Sequence, residues 1–184
     1  MANLLESPNI QALLKRLSVD DYHKLGEIGI LTEKVELIEG VIIKKMPKSP
    51  IHSFVVDSLI RIFRGIFPET FLIRSEQPII INNSEPEPDI SVLFGQLSDF
   101  KSSHPKTARL VVEVSVSTYD LDFQKQFIYA SANIEEYWLI NLKDSEVEIY
   151  KNPSLGKYLE RKIYLLSEPI ELEKNQIIFH DFIK

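Results

Sequence analysis

The sequence predicts an α/β (α+β) domain, with a mixed central β-sheet flanked by helices and extra β-structure after it. Three observations carry this. RLVVEVS (109–115) is a continuous strand-like run rich in β-branched residues. IHSFVVDSLIRIF (51–63) instead places Ile51, Val55, Leu59 and Ile62 at helical spacing. After residue 136 short strand patterns follow one another to the end, at EYWLINL, SEVEIYK, KYLERKIYLL and PIELEKNQIIF. One helix before the central strands and one after them give a layered sandwich around a single sheet.

Ser18-Val-Asp-Asp has a hydroxyl cap with an acid three residues on, so a short helix runs through Tyr22 and Leu25 toward Gly29. VELIEGVIIKK (35–45) reads as β-structure with Glu39-Gly40 at a hairpin or bulge. Ser49-Pro50 leads into the first core helix. TFLIRSEQPIII and PDISVLF are strands separated by NNSEPEP, where Pro86 and Pro88 bar a helix. A second core helix spans roughly Leu121 to Ala132, and two strands meet at Lys143-Asp144. One domain over 1–184 is expected: an N-terminal helical extension (1–34), a core (35–150) and C-terminal β-structure (151–184).

The 184 residues suit one globular domain. Without cysteine there is no disulfide framework, thiolate-bound zinc or thiol nucleophile. No apolar run approaches the ~20 residues of a membrane span, and the first residues lack the features of a secretory signal. A cytoplasmic protein is expected. The net charge of −6 is unlike that of a protein that coats nucleic acid, yet an enzyme gripping a few phosphates can be acidic overall.

Alternation along RLVVEVS puts Leu110, Val112 and Val114 on one face and Val111, Glu113 and Ser115 on the other. Glu113 therefore enters a covered strand, where a carboxylate needs a partner. Asp89, at the start of the PDISVLF strand, reaches it if the two strands pair. Two carboxylates about 4 Å apart repel by ~4 kcal/mol at an effective dielectric near 20, so a proton or a cation must lie between them. Mg2+ suits such a pair, with Mn2+ as the alternative ion. Lys125, in the first turns of the following helix, has a stem long enough to reach back. Alone it reads as a solvated helix residue.

Pro88-Asp89, then Glu113-Val114-Ser115 on a strand, then a helix carrying Lys125, resembles the PD-(D/E)xK nuclease superfamily, and within it the restriction-endonuclease-like Uma-two family. The likeness covers nearly the whole chain: VELIEGVI, SPIHSFVVDSLI, EPEPDISV, LVVEVSVST, the Lys125-to-Tyr129 step and IEEYWLINL. It implies a restriction-endonuclease-like core. It further implies Asp89 and Glu113 as metal ligands helped by the Val114 carbonyl, and Lys125 as the catalytic lysine. Glu36 becomes an outer acid near the metal, and His52 a further metal ligand. Ser115 stands where the superfamily usually has its lysine, so Lys125 would be a migrated one. Asp120 and Asp122 are both candidates for the acidic position before the helix.

The implied function is a Mg2+-dependent endonuclease that cleaves DNA by attack of a metal-activated water. The rival is a nuclease-fold protein that binds nucleic acid or a partner protein without cutting; Ser115 and the net charge favour it. A subunit whose partner supplies specificity is a third reading. A homodimer is the default oligomer. Lys44, Lys45, Lys48 and Arg61 suit either phosphate contact or a solvated face. Tyr129 is read as packing on the Lys125 face, and Tyr137 and Trp138 as core or rim aromatics. Ser115 and Ser117 have no histidine placed to make a hydrolase triad, and His23, His104 and His180 have no ligand-like spacing.

Overall fold

In a computed structural model that describes residues 8–183, a short helix α1 (Pro8–Gln11) precedes α2 (Val19–Glu27). Ser18 and Asp21 form the reciprocal cap at the start of α2 that their spacing predicts. The hairpin β1 (Val35–Ile38) and β2 (Val41–Lys44) follows. Its two-residue turn is Glu39-Gly40, both at positive φ (48° and 74°). A Cβ at Gly40 would lie 2.8 Å from the Leu17 carbonyl oxygen, so the turn also needs glycine for this close approach.

The main sheet has six strands in the order β3-β4-β5-β6-β7-β8. These are β3 (Phe71–Arg74), β4 (Ile90–Phe94), β5 (Leu110–Ser115), β6 (Glu136–Asn141), β7 (Glu146–Ser154) and β8 (Lys157–Leu165). Only β5 and β6 pair in parallel, joined by a crossover through α4 (Tyr119–Ser131); the other neighbours are antiparallel. The sheet is thus mixed, as expected, and continues past residue 150 into β8. A separate hairpin, β9 (Ile170–Leu172) and β10 (Asn175–Ile177), closes the chain over the core.

Helix α3 (Pro50–Ile66) starts at the Ser49 cap with Pro50 in its first turn. It lays Val55, Val56, Leu59 and Phe63 against Leu110, Val112, Val114 and Trp138. On the opposite face Ile128 and Tyr129 of α4 pack with Val111, Tyr137 and Leu139. The alternation along β5 is therefore the expected one, and Glu113 points to the α4 side. Tyr137 and Trp138 are fully buried core aromatics.

The sequence expects TFLIRSEQPIII to be one strand, but only Phe71–Arg74 is. Glu76 turns to positive φ and Pro78 has no N–H to give. The N–H groups of Glu76, Ile79 and Ile80 bond instead to the Pro88, Pro86 and Pro105 carbonyls. This folded segment, 75–89, delivers Asp89 to the sheet. Helix α4 begins two residues earlier than expected, at Tyr119. No helix among the described residues is long and apolar enough to cross a membrane.

Candidate active site

Antiparallel pairing of β4 with β5 sets Ile90 opposite Val112, so Asp89 arrives beside Glu113 at the end of the sheet. The Asp89 N–H lies 3.4 Å from Glu113 Oε2, and Asp89 Oδ2 accepts from the Val114 N–H at 2.8 Å. His52, in the first turn of α3, donates from Nε2 to the same oxygen at 3.0 Å. Lys48 Nζ reaches Asp89 Oδ1 at 2.6 Å and Glu76 at 2.9 Å. Burial would push the Asp89 carboxyl up, but His52 and Lys48 more than offset it and hold it down at about 2.

Lys125 turns back into the sheet rather than out to solvent. It is 4% exposed, and its Nζ lies 2.9 Å from Glu36 Oε1, 3.1 Å from Glu113 Oε1 and 3.6 Å from Asp122 Oδ1. Burial lowers the affinity of Lys125 for its proton, but Glu113, Glu36 and Asp122 together raise it, so the ammonium stays charged. Tyr129, one turn further along α4, donates its hydroxyl to Glu113 Oε1 at 2.7 Å. Burial, opposed by Lys125 and reinforced by Asp89, Asp122 and Glu36, pushes Glu113 up to about 8. Burial likewise raises Asp122, against the pull of Lys125 and the Thr118 hydroxyl, which donates to it at 2.6 Å. Glu36 is placed by the β1–β2 hairpin, and its Oε2 accepts from the Glu87 N–H at 3.2 Å.

The structure thus brings Glu36, His52, Asp89, Glu113, Val114 and Lys125 to one cleft of about 100 Å³. Sequence reasoning left three further members unassigned. Lys48 suits a solvated face equally well in the sequence, although it directly precedes the Ser49-Pro50 helix start that aims His52. The sequence reads Tyr129 as packing; the signal for more is that a hydroxyl on a buried helix face needs a partner. Between the two aspartates, Asp122 is the buried one, three residues before Lys125 on the same helix face, while Asp120 is exposed. His23 also has a role: Nε2 bonds Glu85 Oε2 at 2.8 Å, tying α2 to the loop that carries Asp89.

A divalent cation can be tested against the donor set. Among the described residues no three His, Asp or Glu side chains already converge as a metal site. The charge nevertheless fits one. Buried Glu36, Asp89, Glu113 and Asp122, with exposed Glu76 beside them, are in contact with the Lys48 and Lys125 ammonium groups and the His52 imidazole, so the carboxylates outnumber their basic partners. Part of that excess appears as the raised affinity of Glu113 for a proton. All the donors are oxygens, apart from the His52 imidazole, and suit a hard cation. His52 Nδ1 and Ser115 Oγ are buried without a hydrogen-bond partner among the described residues.

A mixed sheet with carboxylates at one strand end, helices on both faces and a lysine returning from the following helix defines the restriction-endonuclease-like class of fold. The chain belongs to the Uma2 family, described as "Putative restriction endonuclease", whose model matches residues 19–176. Among solved structures it is similar to "a putative nuclease belonging to DUF820 from Anabaena variabilis ATCC 29413", at a TM-score of 0.73 and 16% identity over 91% of this chain and 97% of that one. At that identity the likeness shows the fold. The type IIG restriction endonuclease BpuSI matches 59% of this chain and 12% of its own at 19% identity, and its TM-score of 0.35 supports no argument. No curated protein matches the sequence.

Proposed function

We propose that residues 1–184 act as one Mg2+-dependent endonuclease domain that hydrolyses DNA phosphodiester bonds, with Mn2+ as the alternative ion. The observation that carries this is the excess of buried carboxylate around Lys125 at the end of β4 and β5. Keeping these acids together is costly unless a cation joins them. Asp89, Glu113 and the Val114 carbonyl would hold the ion, with Glu36 and His52 in support. A bound divalent cation polarises a phosphoryl oxygen and favours ionisation of an attacking water.

The chain's own residues then divide the remaining work. Lys125 stays protonated, so it donates to charge developing on the phosphate and does not serve as the base. Tyr129 holds Glu113 Oε1 in place, and Thr118 holds Asp122. Lys48 pairs with Asp89 and lines the cleft, so its ammonium would be available to a DNA phosphate if a cation held Asp89 in its place. Lys44 and Lys45 line the same cleft, paired with Glu33 and Glu87, and would have to exchange those partners to meet a phosphate.

The second reading is a nuclease-fold protein that binds DNA without cutting. Ser115 at the usual lysine position and the present neutralisation of Asp89 by Lys48 and His52 favour it. Supercoiled plasmid incubated with the protein in Mg2+, Mn2+ or EDTA separates the two. Nicking or linearisation that needs metal and disappears in Asp89→Ala and Glu113→Ala supports the enzyme. Retention of DNA in a mobility-shift gel with intact plasmid in every metal would leave only binding.

A further inference from the structure

We infer that the Lys48 ammonium is a resident counterion of the cleft, which holds Asp89 until a divalent cation takes its place. Loading the site is then an ion exchange rather than the filling of a waiting set of ligands. The inference rests on the proposed metal centre and specifies how that centre is regulated.

The two oxygens of Asp89 are engaged differently. Oδ2 accepts from the Val114 N–H at 2.8 Å and from His52 Nε2 at 3.0 Å, and both donors are fixed by regular structure, in β5 and in the first turn of α3. Oδ1 instead has Lys48 Nζ at 2.6 Å. Asp89 can therefore give Oδ1 to a cation without losing either of the other two bonds, and an ammonium stands on that oxygen. A divalent ion and an ammonium sharing one oxygen repel each other, the more so where water screens them only in part. One of the two has to yield.

Three features make Lys48 the group that yields. The stretch between β2 and α3 that carries it lies outside helix and strand, and its flexible four-carbon stem can swing. Its side chain is 24% exposed, whereas that of Lys125 is 5% exposed and holds Glu36, Glu113 and Asp122 at once. Lys48 also has a second partner, exposed Glu76, whose Oε1 lies 2.9 Å away. The backbone keeps this alternative close, because the Glu76 N–H bonds the carbonyl of Pro88, next to Asp89. Giving up Asp89 thus leaves the Lys48 ammonium paired and partly hydrated, while withdrawing Lys125 would strand three buried acids. Lys48 thereby sets the divalent-cation concentration at which the centre forms.

Calorimetric titration with Mn2+ in the absence of DNA tests the exchange, with circular dichroism confirming that each variant folds. Lys48→Met is expected to lower the Mn2+ dissociation constant on the order of tenfold. Lys48→Arg keeps the competing charge and should bind no more tightly than the wild type. Lys45→Met removes an equal charge from the same cleft, but one paired with Glu87, and should shift the constant much less. A second measurement needs no variant: competitive acetylation of the wild-type chain, read by mass spectrometry, should show Lys48 becoming more reactive at saturating Mn2+ while exposed Lys143 stays unchanged. Equal Mn2+ affinity in the wild type and Lys48→Met, or unchanged Lys48 acetylation, would overturn the exchange and leave the metal centre standing. Tightening of the same size in Lys45→Met would also overturn it, since removal of any positive charge would then suffice. Absence of Mn2+ binding from all four proteins would defeat the metal centre itself, and the exchange with it.

Discussion

Replacing Glu113 with glutamine isolates the electrostatic cost concentrated at the end of β5. Burial pushes Glu113 from its ordinary value of 4.5 up to about 8. Between those values the folded protein keeps a proton that the unfolded chain has released, so stability falls as pH rises. From about pH 5 to pH 8 the loss is on the order of a few kcal/mol for this group. Asp89 contributes little slope there, because it is held at about 2 and its stabilising effect is already complete above its ordinary value of 3.8. Glutamine keeps the shape and cannot ionise. Urea unfolding in EDTA across this range should therefore show wild-type stability declining with pH and Glu113→Gln staying much flatter. Parallel profiles for the two proteins would refute the reasoning, since Glu113 would then ionise in the fold as readily as in the unfolded chain.

Other substitutions report on the neighbouring contacts. Lys125→Met removes the one ammonium shared by Glu36, Glu113 and Asp122. Stranding buried charge in this way costs about 3–5 kcal/mol, read by chemical denaturation, and any metal-dependent cleavage should fall with it. Tyr129→Phe deletes a hydrogen bond to Glu113 and should cost about 1 kcal/mol at pH 7, where Glu113 holds its proton, and more above pH 8, where it ionises. Ser115→Ala removes a buried hydroxyl that has no partner among the described residues, so thermal unfolding should show unchanged or slightly raised stability. Gly40→Ala forces a Cβ against the Leu17 backbone at a positive-φ turn and should lower the melting temperature.

Strong local patterns made much of this molecule legible in the sequence. The β5 alternation, the Ser49-Pro50 start of α3 and the Ser18–Asp21 cap each depend on neighbours a few residues apart. Asp89 and Glu113 could be paired because a buried acid demands a partner, and Lys125 because the family pattern places a lysine on that helix. What stayed hidden depends on distant chain segments. Lys48 meets Asp89 across 41 residues, and Tyr129 meets Glu113 only because α4 packs over β5. The strand expected over 75–81 failed for a similar reason: its backbone groups bond to carbonyls brought in by the 84–88 turn and by Pro105. No periodicity within the segment carries that information.

Calorimetric titration of the purified chain with Mn2+ tests most directly whether Asp89 and Glu113 form a divalent-cation centre. One site per chain is expected, abolished in Asp89→Asn and in Glu113→Gln and retained in a control at exposed Asp120→Asn. At pH 7 binding should release protons to the buffer, because Glu113 begins protonated. Binding that is absent from the wild-type protein, or that survives both substitutions unchanged, would contradict the assignment.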